Sequence, residues 1–239
     1  ILTGDDHSKS LLVIDFNEDL SYPFDPEETN IPWDLSHLAV HNNLVHILSW
    51  NYWGIIDMKD PSTAREIWNW EPSSNSGVTC RAIINGDIAY IGGGWTGLHI
   101  FDISDPKQPE LIGGFDTPNW IVGMTLADNI LYLSLGESGV LALDVTDQTR
   151  PLMMGSIDLP GYVGELSANN DILYGIYIVL EDYDVSESGV YAIDISEPSE
   201  MSLLTTYKAL HEASDIQATD DAVFITDEPW GLVVLNLIP

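Results

Sequence analysis

Short runs of Val, Ile and Leu that close on an acid recur along the whole chain. The clearest is Gly97–Asp102 (Gly-Leu-His-Ile-Phe-Asp). Its equivalents end at Asp15, Asp57, Asp144 and Asp194 and, with an amide in place of the acid, at Asn236. Successive anchors stand 42 to 50 residues apart, the widest interval lying between Asp144 and Asp194. Around each anchor the pattern reads as four short strands separated by turns. In the clearest unit they are predicted at Val78–Ile84, Ile88–Gly93, Gly97–Ile103 and Glu110–Phe115. The anchor strands are apolar at consecutive rather than alternate positions, as strands covered on both faces are. A unit of this kind buries its faces only against its neighbours, so a fixed period of forty-odd residues points to a stacked, propeller-like array.

The expected fold is therefore all-β, a β-propeller of four-stranded antiparallel blades. Six anchors predict six blades, with five or seven as the alternatives. Residues 1–239 read as one propeller domain whose first and last repeats are incomplete, and which is expected to belong to a longer chain. Ile1–Asp6 reads as the tail of a second strand, and Pro239 follows a third. Pairing of strands from the two ends would remove open sheet edges.

Three further positions repeat. The first two strands of each unit are joined at Asn42-Asn43, Gly86-Asp87, Asp128-Asn129, Asn170-Asp171 or Asp220-Asp221, residue types that tolerate the left-handed backbone of tight hairpins. Shortly after each turn stands an aromatic ring, at His46, Tyr90, Tyr132, Tyr174 and Phe224, which is expected to pack between units. Three residues after each of the five acidic anchors comes a second acid, at Glu18, Asp60, Asp105, Asp147 and Glu197. A carboxylate at a strand end accepts nearby backbone N–H groups, so these acids read as scaffold rather than catalysis.

The runs Leu11-Leu-Val-Ile-Asp15, Leu98-His-Ile-Phe-Asp102-Ile-Ser-Asp-Pro and Val190-Tyr-Ala-Ile-Asp194-Ile-Ser-Glu-Pro resemble the LVIVD-repeat family. The resemblance implies a β-propeller of a kind found mostly in secreted or surface-attached prokaryotic proteins. It implies an extracellular or cell-surface location and carries over no catalytic residue. Tyr52, where other units have Gly or Ser, and Asn236 depart from the pattern.

Charge narrows the partners. Thirty-eight acids against seven Lys and Arg give a formal −31, a field that repels phosphate backbones and anionic bilayers. Nucleic acid is excluded as a partner, and no apolar run is long enough for membrane insertion. The acidity also suits a saline medium that screens self-repulsion. The single cysteine, Cys80, has no partner for an internal disulfide and reads as a small core residue.

In such a propeller the hairpins between second and third strands share a face with the connectors between units. The hairpins offer Trp53, Trp95 and Trp230, and the connectors offer Trp33, Trp120, Tyr162 and His211. These seven form the candidate ligand-binding set, because Trp and Tyr supply flat apolar area for a sugar ring or peptide and a π-face for a cation. The longest hairpin, Glu181–Glu187, brings Glu181, Asp182 and Asp184 together as candidate calcium ligands, although the EF-hand spacing is missing. No other cofactor is expected. Gly92–Gly97 matches G-x-G-x-x-G, but between strands, with no helix to receive a pyrophosphate. No nucleophile elbow, H-E-x-x-H or paired-cysteine pattern occurs. The leading expectation is a binding module for a carbohydrate or protein ligand. A hydrolase or lyase with cross-blade carboxylates, and a structural spacer in an envelope protein, are the alternatives.

Overall fold

The computed structural model describes residues 2–5, 8–15, 20–23, 35–49, 52–60, 63–71, 79–94, 96–181, 184–228 and 231–237. Residues 2–5, 8–15, 20–23, 35, 79, 80, 209 and 210 are described for their backbone alone. The chain is an all-β propeller of antiparallel blades and divides into two compact units, Ile1–Ile112 and Gly113–Pro239.

The first unit opens with a three-stranded sheet, β1 (Leu2–Asp5), β2 (Ser8–Asp15) and β3 (Leu20–Pro23). A four-stranded sheet follows, β4 (Leu35–His41), β5 (Leu44–Ser49), β6 (Tyr52–Asp57) and β7 (Arg65–Trp70). The next comprises β8 (Thr79–Asn85), β9 (Ile88–Gly93), β10 (Gly97–Asp102) and β11 (Glu110–Phe115), close to the spans its sequence pattern predicts.

The second unit has two four-stranded sheets. One runs β12 (Gly123–Ala127), β13 (Ile130–Ser134), β14 (Val140–Asp144) and β15 (Leu152–Ile157). The other runs β16 (Tyr162–Asn169), β17 (Ile172–Glu181), β18 (Asp184–Asp194) and β19 (Ser202–Leu210). A three-stranded sheet, β20 (Glu212–Ala218), β21 (Ala222–Glu228) and β22 (Gly231–Asn236), ends the described chain.

Blade number departs from the expectation of six: among the described residues there are five. The innermost strands β4, β8, β12, β16 and β20 belong to five sheets, and seams form between β4 and β8, β12 and β16, and β16 and β20. The β1–β3 sheet carries the first anchor at Asp15. Among the described residues it has no innermost strand and joins none of these seams. An anchor marks a repeat, whereas a blade also needs the strand that holds it to its neighbour.

The repeated positions behave as scaffold. Asn42, Asp128 and Asn170 take positive φ of 49°, 52° and 51°, as does Gly86 at 59°. The anchor carboxylates of Asp57, Asp102, Asp144 and Asp194 each accept the backbone N–H two residues on, at 2.8 to 3.0 Å. Asp105 and Asp147 repeat the arrangement with Lys107 and Thr149. His46, Tyr90, Tyr132 and Tyr174 are buried, Tyr132 and Tyr174 in clusters shared with the following blade, while Phe224 is 36% exposed.

Innermost strands would leave buried N–H and C=O groups unpaired where blades meet, so polar side chains cross the seams. Ser134 Oγ accepts the Gly123 N–H at 2.7 Å and donates to the Gly164 carbonyl at 2.6 Å. Ala168 N donates to Thr125 Oγ1, and Ala218 N to Ser167 Oγ at 2.9 Å. In the first unit Ala82 N donates to His37 Nδ1.

Candidate functional site

Of the seven sequence-predicted ligand residues, Trp33, Trp95 and Trp230 lie outside the described residues, as does Asp182 of the metal set. Trp53 is corrected outright. It is the second residue of β6, because Ser49 already pairs with Tyr52 across the hairpin, and its side chain is fully buried. Its ring meets Trp68 and Phe101 edge-on, each at 4.9 Å between centroids, and its indole N–H donates to His46 Nδ1 at 3.2 Å. With Leu48, Ile55, Ile91 and Ile103 it forms the core shared by β4–β7 and β8–β11. Trp53 is a packing residue with no surface to offer a ligand.

Trp120, Tyr162 and His211 fall in the second unit, at the end of the blades that also bears the β13–β14 and β17–β18 hairpins; Trp120 and His211 lie on connectors, whereas Tyr162 is the first residue of β16 and pairs with Ile178. Two of them flank one tight hairpin, Leu135–Gly139. That turn is closed by Leu135 N to Gly139 O at 2.9 Å, with Gly136 and Gly139 at φ of 60° and 69°. On one side lies the connector 116–122. There Asn119 Oδ1 accepts the Trp120 N–H at 2.8 Å, Thr117 Oγ1 donates to Asn119 O at 2.7 Å, and Asn119 Nδ2 reaches Ser138 Oγ at 3.4 Å. On the other side the Tyr162 ring lies over Gly136, where a Cβ would stand 2.7 Å from the ring, and Val163 N donates to Gly136 O at 3.1 Å. Only glycine combines that backbone with room for the ring.

The rings differ in what they show. Trp120 is half-buried, while Tyr162 is 40% exposed. Between them the hairpin presents an exposed Glu137 carboxylate and a half-buried Ser138 hydroxyl. A half-buried Trp120 and a partly exposed Tyr162, set beside an amide, a hydroxyl and a carboxylate, form a ledge that combines aromatic side chains with hydrogen-bonding groups.

The next connector is braced from beneath. Pro160 O accepts the Tyr191 hydroxyl at 2.6 Å, and Tyr191 stacks on Tyr177 at 4.2 Å. Tyr177 donates to Glu187 Oε1 at 2.8 Å, and Lys208 Nζ donates to Glu187 Oε2 at 2.9 Å. The hydrogen bonds from Lys208 and Tyr177 hold the Glu187 carboxyl below its ordinary range. Burial, then the bond to Glu187, raises the Tyr177 phenol well above its own. The phenol thus stays protonated and the carboxylate charged, a fixed brace rather than a proton-transfer pair.

His211 stands apart from the ledge. Its side chain is exposed, and its backbone N–H, with that of Glu212, donates to the buried Asp227 carboxylate at 3.0 and 2.9 Å. Glu181 and Asp184 face each other across the end of the β17–β18 hairpin, both exposed. Among the described residues no three metal-ligating side chains come together. Sequence reasoning missed Asn119, Ser138 and Gly136. Their only signal was a small, polar hairpin lying between two aromatic connectors.

A model of the LVIVD repeat matches residues 76–117 and 184–209. The chain carries LVIVD repeats. The first match spans β8 to β11, and the second spans β18 with most of β19. No curated protein matches the chain in sequence. Among solved structures, a chain of a mitotic checkpoint complex superposes with a TM-score of 0.75 at 10% identity, covering 97% of this chain and 69% of that one. A putative 6-phosphogluconolactonase from Bacteroides fragilis gives 0.75 at 11% identity, covering 96% and 73%. A luciferin-regenerating enzyme gives 0.57 at 12%, covering 95% and 82%. At these identities the likeness is one of fold.

Proposed function

We propose that this LVIVD-repeat propeller is a binding module whose ligand is a carbohydrate, held on the ledge formed by Trp120, the Leu135–Gly139 hairpin and Tyr162. The observation that carries the reading is the anchoring of two aromatic residues on either side of one hairpin that also offers Glu137, Ser138 and Asn119. Loops fixed on a rigid scaffold are where propellers and similar folds place binding. Preorganised rings lose little entropy on contact, and a sugar supplies both an apolar face and hydroxyls. A prokaryotic extracellular or cell-surface setting is part of the proposal and rests on the LVIVD resemblance. Calcium at Glu181 and Asp184, and a role for His211, form no part of this ledge.

The test is a glycan-array screen of the whole chain followed by calorimetry on the best glycan. Trp120→Ala and Tyr162→Ala are expected to weaken binding at least tenfold, while the melting temperature of Tyr162→Ala stays within about 2 °C. A chain that captures a protein but no glycan would move the ligand to the protein class. Variants that bind as well as the parent would remove the ledge from the reading altogether.

A further inference from the structure

Four anchors open a turn that leads to a fourth strand eight residues on: Asp57 to Arg65, Asp102 to Glu110, Asp144 to Leu152 and Asp194 to Ser202. The four turns share one set of backbone contacts. Each anchor carboxylate accepts the N–H two residues on. The N–H six residues on then donates to the carbonyl three residues on, as Thr63 to Asp60, Gln108 to Asp105, Arg150 to Asp147 and Glu200 to Glu197, over 2.8 to 3.0 Å. Where four copies hold the same backbone, a side chain that departs from its siblings is not demanded by the turn, and such departures concentrate at functional sites.

Two positions set the Asp57 turn apart. Two residues after the anchor, the other turns carry Ser104, Thr146 and Ser196, whereas this one carries Lys59. Eight residues after it, the others carry Glu110, Leu152 and Ser202, whereas this one carries Arg65. The small hydroxyls serve the turn itself, as Ser196 Oγ does in donating to Asp194 Oδ1 at 2.7 Å. Both cations flank one anchor: the Lys59 N–H donates to Asp57 Oδ1 at 3.0 Å, and Arg65 pairs with Asp57 across the β6–β7 ladder. With Asp60 and Thr63 these three residues line a cleft of about 410 Å³. Lys59 and Arg65 are exposed, and among the described residues neither side chain has an ion-pair or hydrogen-bond partner. Lys208, by contrast, is held by Glu187 at 2.9 Å. In a chain of 38 acids and seven Lys and Arg, two cations left unpaired in one cleft are not explained by local charge balance.

We propose that this cleft binds a small sugar or polyol carrying one phosphate or sulfate ester. Arg65 and Lys59 would take the oxyanion, the guanidinium through paired N–H donors and the ammonium as a point charge. The Asp57 and Asp60 carboxylates are acceptors only, suited to the hydroxyls of the neutral body. The volume lies in the range of small-molecule sites. Charge sets the class of ligand. The field of a chain at formal −31 repels an extended polyanion, so one anionic group on a neutral body is favoured over a nucleic acid or a polysulfated chain. The cleft belongs to the first unit and draws on none of the residues of the Trp120 ledge.

The experiment titrates the whole chain, isotope-labelled for amide NMR, with glucose 6-phosphate, glucose 6-sulfate, inorganic phosphate and glucose. Saturable shifts of the Lys59, Thr63 and Arg65 amide signals are expected with at least one of the two esters, and the tighter ester identifies the favoured group. Inorganic phosphate and glucose should bind there at least about tenfold more weakly, since each offers only half of the contacts. Lys59→Ser and Arg65→Ser install the residue that a sibling turn carries, so the melting temperature should stay within about 2 °C. Each should weaken ester binding about tenfold or more. Lys107→Ser removes the same charge from the next turn, where Lys107 is exposed, and should leave affinity within about twofold. Failure of both esters to shift these amides, equal binding of inorganic phosphate, or unchanged affinity in both Lys59→Ser and Arg65→Ser would overturn the proposal. So would a loss in Lys107→Ser as large as that in Lys59→Ser, because general charge rather than the cleft would then hold the ester. None of these outcomes bears on glycan binding at the Trp120 ledge.

Discussion

Acidification should destabilise the first unit through one histidine. His46 occupies the position held by Tyr90, Tyr132 and Tyr174 in other blades, and it is fully buried. Its ring stacks on Trp53 at 5.9 Å and accepts the indole N–H at Nδ1, which requires the neutral imidazole. Among the described residues its Nε2 has no hydrogen-bond partner. Burial, and secondarily the charge of His41, lower its pKa from 6.5 to about 4. Below pH 6.5 the unfolded chain therefore gains a proton that the folded chain refuses until about pH 4. Stability is full above 6.5 and falls as pH drops towards 4. The whole interval corresponds to roughly 3 kcal/mol, of which about 2 kcal/mol is lost by pH 5.0.

Urea unfolding of the parent and of His46→Phe at pH 7.5 and pH 5.0 isolates this effect, since the carboxylates are common to both chains. Phenylalanine keeps an aromatic ring in place but strands the Trp53 N–H, a cost of about 1–3 kcal/mol at either pH. Between the two pH values the parent should lose about 2 kcal/mol more than the variant. In thermal unfolding this becomes roughly 4–8 °C for a chain of this size. Parallel pH dependence in the two proteins would refute the argument, because it would mean that His46 titrates alike folded and unfolded.

Trp53→Ala should cost about 3–5 kcal/mol in urea unfolding, as a buried ring is lost from a packed cluster; a change under 1 kcal/mol would return Trp53 to the surface. Gly155→Val should cost about 1–3 kcal/mol or more, since its Cβ meets the Pro198 carbonyl, and a neutral result in the same assay would mean the seam yields. Hydrogen bonds from Ser104, Thr146 and Ser196 hold the Asp102, Asp144 and Asp194 carboxyls below their ordinary values, so stability from them is full above about pH 4 and lost below it. Asp194→Asn should flatten that acid limb of the melting curve, and an unchanged limb would deny the turn its role. Two opposed carboxylates are too few for calcium, so calcium restored after chelation at constant ionic strength should move the melting temperature by less than about 1 °C; a rise of several degrees would bring in Asp182 as a third ligand.

What the sequence alone determined was local and repeated. Strand spans such as Ile88–Gly93, the turns at Asn42 and Asp128, and the carboxylate turns after Asp102 and Asp194 were legible because each depends on neighbours within a few residues. The propeller itself was legible because a repeat that cannot bury its own faces forces stacking. Blade number was less so: an anchor such as Asp15 marks a repeat, but only tertiary structure shows whether an innermost strand joins it to a neighbour. The fate of each tryptophan was likewise a tertiary matter. Trp53 and Trp120 both read as loop aromatics, yet one extra pair in the β5–β6 ladder turns Trp53 into the core, while Asn119 holds Trp120 at a connector. Side-chain direction in a strand alternates with every residue, so a hairpin boundary misjudged by one residue moves a ring between ligand face and interior.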